Sequence, residues 1–332
     1  MIITRTPYRI SFFGGGTDYP PWYLQNGGEV ISTTINKYCH ISCRHLPPFF
    51  EHKHRVVYST IEHVNHWDEI KHPAVRAVLG TLNCNKGLEI HHDGDLPARS
   101  GLGSSSSFTV GLLHALTALK GSYVSKDQLA RDALHIEQKV IGEAVGSQDQ
   151  IAAAYGGLNR IEFLRSGNFT VSPVVLRKQR SRDFQRHLML FFTGFSRIAA
   201  EVAKSKIANL NKRDTELKRM REMVEEATQI LQGSNRPIEE FGDLLHEAWR
   251  HKRSLSDKVS TPEVDQIYEA GRNAGAIGGK LLGAGGGGFM LLFVRPEQQP
   301  RVKEALKHLI HVPFSFEESG SRVVLYQPNG LN

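Results

Sequence analysis

The chain is poor in cysteine. Cys39, Cys43 and Cys84 are the only three in 332 residues, too few for a disulfide framework, and this points to a reducing, cytoplasmic setting. No run has the length and apolarity of a membrane span, so no membrane partner is expected. The opening Met1-Ile2-Ile3-Thr4-Arg5-Thr6-Pro7 lacks a signal-peptide pattern and reads as a strand start. Lys and Arg exceed Asp and Glu by 41 to 34, a formal net charge of +7. No aromatic–basic stripe accompanies that surplus, so nucleic acid is not an expected partner. Lys204, Lys206, Lys212 and Arg213 share a helical stretch with Glu201, Asp214 and Glu216, which reads as a solvated face of mixed charge. A diffuse positive surplus still suits anionic small substrates. The sixteen histidines show no ligand spacing. His246-Glu247-Ala248-Trp249-Arg250-His251 has one residue too many for a zinc-protease helix.

What the chain does have is glycine, gathered in three stretches. The central one is Pro97-Ala98-Arg99-Ser100-Gly101-Leu102-Gly103-Ser104-Ser105-Ser106-Ser107, followed by an apolar helix from Phe108 to Leu119. Glycine allows positive φ and close backbone approach. Serines at a helix start offer caps. The first turn leaves N–H groups pointing outward at a positive dipole end, a ready phosphate site. It is not the common P-loop, because no Lys-Ser or Lys-Thr pair follows the glycines. The first stretch, Phe13-Gly14-Gly15-Gly16-Thr17-Asp18-Tyr19, sets a hydroxyl and a carboxylate beside permissive backbone. It reads equally as an Asx-capped turn or as a holder of sugar hydroxyls. The third, Gly283 to Gly288, satisfies a dinucleotide fingerprint literally, but a strand follows where a helix should.

Strands are expected at Ile2–Thr4, Arg9–Phe12, Gly28–Ile35, Tyr38–Cys43, Arg55–Tyr58, Leu88–His92, Leu158–Phe163, Phe169–Val171, Leu188–Phe192, Phe289–Val294 and near Phe314 and Val323. Helices are expected over Pro73–Leu82, Ser125–Ile141, Asp149–Tyr155, a long charged stretch to Leu231, Ile238–Ser256, Pro262–Asn273 and Gln299–Ile310. Arg177 to Arg186 reads as a charged connection, which divides the chain into domains 1–180 and 181–332. Glu137 falls on or beside the apolar face formed by Ala133, Leu134, Val140 and Ile141. A carboxylate there needs a cation, either a metal ion or an Arg or Lys. Asp149 begins a short helix, where a negative charge is favoured.

The three stretches in order, Arg9 to Tyr19, Pro97 to Ser107 and Lys280 to Gly288, resemble the superfamily of galactokinase, homoserine kinase, mevalonate kinase and phosphomevalonate kinase. The resemblance spans nearly the whole chain. Within it, Pro7-Tyr8-Arg9-Ile10-Ser11-Phe12-Phe13-Gly14-Gly15-Gly16-Thr17-Asp18-Tyr19-Pro20 is most similar to the D-glycero-D-manno-heptose 7-phosphate kinases. Galactokinases carry Gly-Glu-His before their Thr-Asp-Tyr, a polar pair that Gly14-Gly15-Gly16 lacks.

The resemblance implies an α+β fold, with a ribosomal S5 domain 2-like N-terminal domain, a ferredoxin-like C-terminal domain and ATP between them. It implies transfer of phosphate to the anomeric oxygen of a heptose 7-phosphate, with the 1,7-bisphosphate product feeding GDP-heptose and surface polysaccharide. Pro97, Arg99, Ser100, Gly101, Leu102, Gly103, Ser104, Ser105 and Ser106 would wrap the ATP phosphates. Ser104 or Ser105, with Glu137, would hold Mg²⁺. Asp149 would take or orient the proton of the attacking hydroxyl, beside Arg9. Gly14, Gly15, Gly16, Thr17, Asp18, Gly285 and Gly286 would line the sugar site. Arg197, with Lys204 behind it, is the candidate for the far phosphate. Sugar phosphate and ATP are then the expected partners, with room for a homodimer. A fucose- or galactose-type kinase and a non-catalytic sugar sensor are the competing readings.

Overall fold

The structure, a computed structural model, describes residues 1–98, 100–194, 199–233 and 235–328. Strand β1 (Ile2–Phe13) runs unbroken where the sequence suggests two short strands around Pro7. Proline gives no N–H to a ladder, and the register against β2 (Gly28–His45) shifts between Pro7 and Tyr8, which accommodates it. β2 is likewise one long strand. Between and after these come α1 (Pro20–Asn26), β3 (His54–Val57), β4 (Ile61–Val64), α2 (Pro73–Thr81), β5 (Leu88–Gly94), α3 (Ser104–Leu119) and α4 (Lys126–His135). A π-helical turn (Ile136–Ile141) follows, then α5 (Gln148–Tyr155), β6 (Leu158–Phe163) and β7 (Phe169–Pro173). The second half holds α6 (Lys178–Arg186), β8 (Leu188–Gly194), α7 (Ala199–Asn209), α8 (Asp214–Gln232), α9 (Glu239–Ser254) and α10 (Pro262–Asn273). It ends with β9 (Ala276–Leu281), β10 (Gly288–Val294), α11 (Gln299–Ala305), β11 (Ile310–His311), β12 (Phe316–Glu317) and β13 (Arg322–Tyr326).

Among the described residues the strands form two sheets. The first has nine strands, with β1 and β2 at its centre and α3 and α5 packed on it. The second runs β11-β8-β10-β9, and every pairing in it is antiparallel. In chain order that is fourth, first, third, second, the ferredoxin-like arrangement. β12 and β13 then return to the first sheet, pairing with β2 and β1. A division at residue 180 thus falls inside α6, and the last strands of the chain join the first sheet.

Other expectations change for local reasons. Arg177 to Arg186 is a helix, α6, whose single buried side chain is Phe184. The long charged helix breaks between α7 and α8, where Leu210–Lys212 forms a tighter turn. Asp214 and Glu216 then open α8, where carboxylates suit the helix dipole. α11 is shorter than expected, and β11 takes over its end.

Phe184 shows why α6 forms. It packs against Phe12 of β1 (5.2 Å), Phe241 of α9 (4.7 Å), Phe316 of β12 (5.4 Å) and Phe293 of β10 (6.5 Å). This aromatic cluster joins the two sheets. Phe184→Ala is expected to cost about 3–5 kcal/mol, read as a lower denaturant midpoint without loss of helical signal.

β5 leads into the central glycine stretch and is anchored by Glu89. Burial alone would raise this carboxyl's pKa, but hydrogen bonds from His91, Arg44 and Arg55 more than offset that and hold it at about 2. A folded value below the ordinary 4.5 stabilises the fold above that pH, and the stabilisation is lost as the pH falls through about 2. Its size is on the order of 2–3 kcal/mol. Glu89→Gln is therefore expected to be destabilised at pH 7 and to differ little from the parent near pH 2, as measured by chemical denaturation at each pH.

Candidate active site

α3 begins at Gly103, whose φ is +75°, and no side chain caps the helix. Two of the serines are tied elsewhere. Ser100 Oγ donates to Pro97 O (2.6 Å) and Ser107 Oγ to Pro7 O (2.9 Å). The dipole end of a buried helix of 16 residues is thus left without a side-chain cap, which is the arrangement an anion needs. Gly101, at φ +90°, has the Leu282 carbonyl 2.6 Å from where a Cβ would sit. The third glycine stretch therefore backs directly onto the central one. Lys252 Nζ supports it from α9, donating to Leu281 O (2.6 Å) and Gly283 O (2.8 Å). Lys280 Nζ donates to Phe12 O (2.7 Å), tying the third stretch to the first. Gly286 N donates to Val259 O (3.0 Å), and Gly285 also packs on the Val259 backbone.

Arg9 projects from β1 into this junction. Its backbone N donates to Leu102 O (3.0 Å), and its Nη1 donates to Gly101 O (2.8 Å). Its Nε and Nη2 grip both carboxylate oxygens of Asp149 at 2.7 Å. Arg9 is 5% exposed, whereas the Asp149 side chain is 25% exposed. The carboxylate is therefore held from behind and still reachable from the cleft. A Cβ on Gly103 would lie 3.4 Å from the Asp149 carboxylate, so the turn before α3 and this carboxylate lie side by side.

Asp18 is buried against the turn that precedes α5. Its Oδ1 accepts from Gly16 N (2.9 Å), its Oδ2 from Gln148 Nε2 (2.9 Å), and its backbone O from Ser147 N (2.9 Å). Gly15 sits beside the Gln148 amide. Thr17 is used inside the turn, donating to Gly14 O (2.8 Å) and Glu29 O (2.9 Å). Tyr19 is buried too, and burial together with the charges of Asp18 and Asp149 pushes its hydroxyl pKa up.

Glu137 lies in the π-helical turn, 1% exposed. That wider turn leaves Val140 exposed, so Val140 departs from the apolar face read in the sequence. Ser106 Oγ donates to Glu137 Oε2 (2.9 Å), and Gln150 Nε2 donates to the same oxygen. Oε1 is buried without a hydrogen-bond partner. Burial raises the pKa to about 7; donors from Thr109, Gln150 and Ser106 offset part of the shift, and Glu143 adds to it. No Arg or Lys hydrogen-bonds or ion-pairs with Glu137 among the described residues. A buried carboxylate oxygen with no donor, beside a hydroxyl and an uncapped helix start, fits a divalent cation. The hydroxyl touching Glu137 is that of Ser106, while Ser104 and Ser105 open the same turn.

A cleft of about 500 Å³ opens between α2 and the π turn, lined by Trp67, Arg76, Gly80, Val140 and Ile141. Beside it His72, at the start of α2, stacks on Phe108 of α3 at 4.6 Å. Sequence reasoning missed this cleft, as it missed Gln148 and Gln150. Only the repeat of glutamine on both sides of Asp149 could have hinted at the latter. Arg99 and Arg197 lie outside the described residues, and Lys204 is exposed on α7.

Two family descriptions match: GHMP kinases N terminal domain over residues 68–157 and GHMP kinases C terminal over residues 226–311. A D-glycero-alpha-D-manno-heptose 7-phosphate kinase of Campylobacter jejuni is 28% identical over 324 residues, covering 92% of this chain and 93% of its own. The bifunctional fucokinase/GDP-fucose pyrophosphorylase of Arabidopsis thaliana is 28% identical over 325 residues, covering 89% of this chain and 30% of its own. A solved structure described as a D-glycero-D-manno-heptose 1-phosphate kinase from Bacteroides thetaiotaomicron superposes with a TM-score of 0.80 at 22% identity, covering 97% of this chain and 98% of that one.

Gly101→Ala would force a side chain into positive φ and onto the Leu282 carbonyl. A stability loss of about 2–4 kcal/mol is expected, with loss of nucleotide binding in whatever protein remains folded. Thermal melting with and without ATP checks both.

Proposed function

The chain belongs to the GHMP kinase family and is an ATP-dependent sugar kinase. From that premise we propose that it transfers the γ-phosphoryl group of Mg·ATP to the anomeric C1 hydroxyl of D-glycero-D-manno-heptose 7-phosphate, giving the 1,7-bisphosphate. The single observation that carries the mechanism is the Arg9–Asp149 clamp beside the uncapped start of α3.

Phosphoryl transfer requires alignment and charge stabilisation more than covalent chemistry. The backbone from Pro97 and Ser100 through Gly101, Leu102 and Gly103 to Ser106 cradles the phosphates. The base of the nucleotide enters the cleft at Trp67 and Val140, next to the turn that carries Glu137. Glu137, with the hydroxyls of Ser104, Ser105 or Ser106, would hold Mg²⁺, which would neutralise phosphate charge when bound. Asp149 accepts or orients the proton of the C1 hydroxyl, and the Arg9 guanidinium fixes its direction. Asp18, with the Gly14–Gly16 turn, faces the sugar hydroxyls, and Arg197 is the candidate for the far phosphate.

The heptose reading draws support from the end-to-end match with the Campylobacter jejuni enzyme. A fucose-type 1-kinase is the second reading, because the Arabidopsis thaliana relative matches at the same identity. A non-catalytic sensor would have no use for the intact clamp.

ADP release from Mg·ATP should be fast with heptose 7-phosphate and slow with unphosphorylated heptose, fucose, galactose and mannose. Asp149→Asn should lower kcat by about 10²–10⁴-fold. Faster turnover with fucose or galactose would replace the heptose assignment. ATP binding without turnover on any acceptor would favour the sensor.

A further inference from the structure

α5 opens with Gln148-Asp149-Gln150. Successive side chains on a helix point about 100° apart, so three consecutive residues reach three different groups. Gln148 Nε2 donates to Asp18 Oδ2 (2.9 Å). Asp149 is clamped by Arg9. Gln150 Nε2 donates to Glu137 Oε2. Gln148 is 8% exposed and Gln150 is fully buried at 0%. The amide oxygens of both are buried without a hydrogen-bond partner. Burying an unpaired amide oxygen is costly, and an apolar side chain of the same length would avoid that cost at each position.

Building on the proposed function, we propose that Gln148 and Gln150 are positioning residues, one for each end of the reaction. Gln150 orients the cation-binding carboxylate, and Gln148 orients the acceptor-binding carboxylate, on either side of the base. An amide suits this task because of its charge. It donates to a carboxylate without neutralising it, as Lys or Arg would, and without repelling it, as Glu would. The Ser106 and Gln150 hydrogen bonds both fall on Oε2, and Oε1, which makes none, is left for the cation. In Asp18 the two oxygens are pinned separately, by Gly16 N and by Gln148, which fixes the carboxylate plane. Because both amides leave from one helical turn, the spacing of cation, base and acceptor is set by helix geometry.

The variants Gln150→Met and Gln148→Met keep side-chain length and remove the donor. Mn²⁺ is the probe, titrated into protein saturated with a non-hydrolysable ATP analogue, with free Mn²⁺ read by electron paramagnetic resonance. Gln150→Met should weaken Mn²⁺ binding about 10–100-fold and leave the acceptor KM within about twofold. Gln148→Met should do the reverse, raising the acceptor KM about tenfold with Mn²⁺ binding unchanged. Should Gln150→Met not fold, Gln150→Asn, which keeps the donor one methylene short, is expected to fold and to weaken Mn²⁺ binding in the same direction. Parent-like Mn²⁺ binding in a folded Gln150 variant would overturn the proposal. So would both methionine variants shifting both constants alike. If the parent protein itself takes up no Mn²⁺ with the nucleotide analogue, the cation role of Glu137 falls, and this proposal falls with it.

Discussion

One guanidinium ties the site together. Arg9 is nearly buried on the central strand, and its guanidinium donates both to the Gly101 carbonyl and to the two oxygens of Asp149, while its backbone N holds the Leu102 carbonyl. A planar fork with fixed donor directions can do this, whereas a flexible ammonium cannot. Strand β1, the Gly101–Gly103 turn and helix α5 with Asp149 are thereby held in one geometry. Burying a charge of this kind is tolerable because it is paired with a carboxylate and a backbone carbonyl.

That clamp needs a rigid frame, and the frame is unusually tight. The second sheet presses its glycine-rich turn against Gly101, close enough that a single Cβ would collide with the Leu282 carbonyl. Lys252 and Lys280 bridge the same junction to backbone oxygens. Behind it, Phe12, Phe184, Phe241 and Phe293 interlock across the two sheets. The anion-binding turn is therefore supported by atoms from both sheets.

Stability is spent at the site itself. Glu137 is buried with one oxygen unpaired and a pKa raised to about 7, and two glutamine amides are buried half-satisfied. Each of these groups lowers the stability of the ligand-free protein. Glu89 shows the opposite case: three donors surround its carboxyl, and it anchors the start of β5 to the neighbouring strands.

The sequence by itself determined the three glycine stretches, the helix that follows the central one and most strands, and it singled out Asp18, Glu137 and Asp149 as candidates. Those features are local: glycine permits its own backbone, and periodicity reports its own element. Partnership is decided by the tertiary structure, and only the family resemblance set Arg9 beside Asp149 beforehand. Arg9 and Asp149 lie 140 positions apart, and no spacing rule joins them. The π turn that buries Glu137 and exposes Val140 departs from the regular period on which the sequence reading depends. α6 looked like a linker because only Phe184 of its nine residues is buried. The roles of Gln148 and Gln150 were invisible for the same reason, since an amide is defined by what it faces, and only folding brings Asp18 and Glu137 to opposite sides of one helical turn.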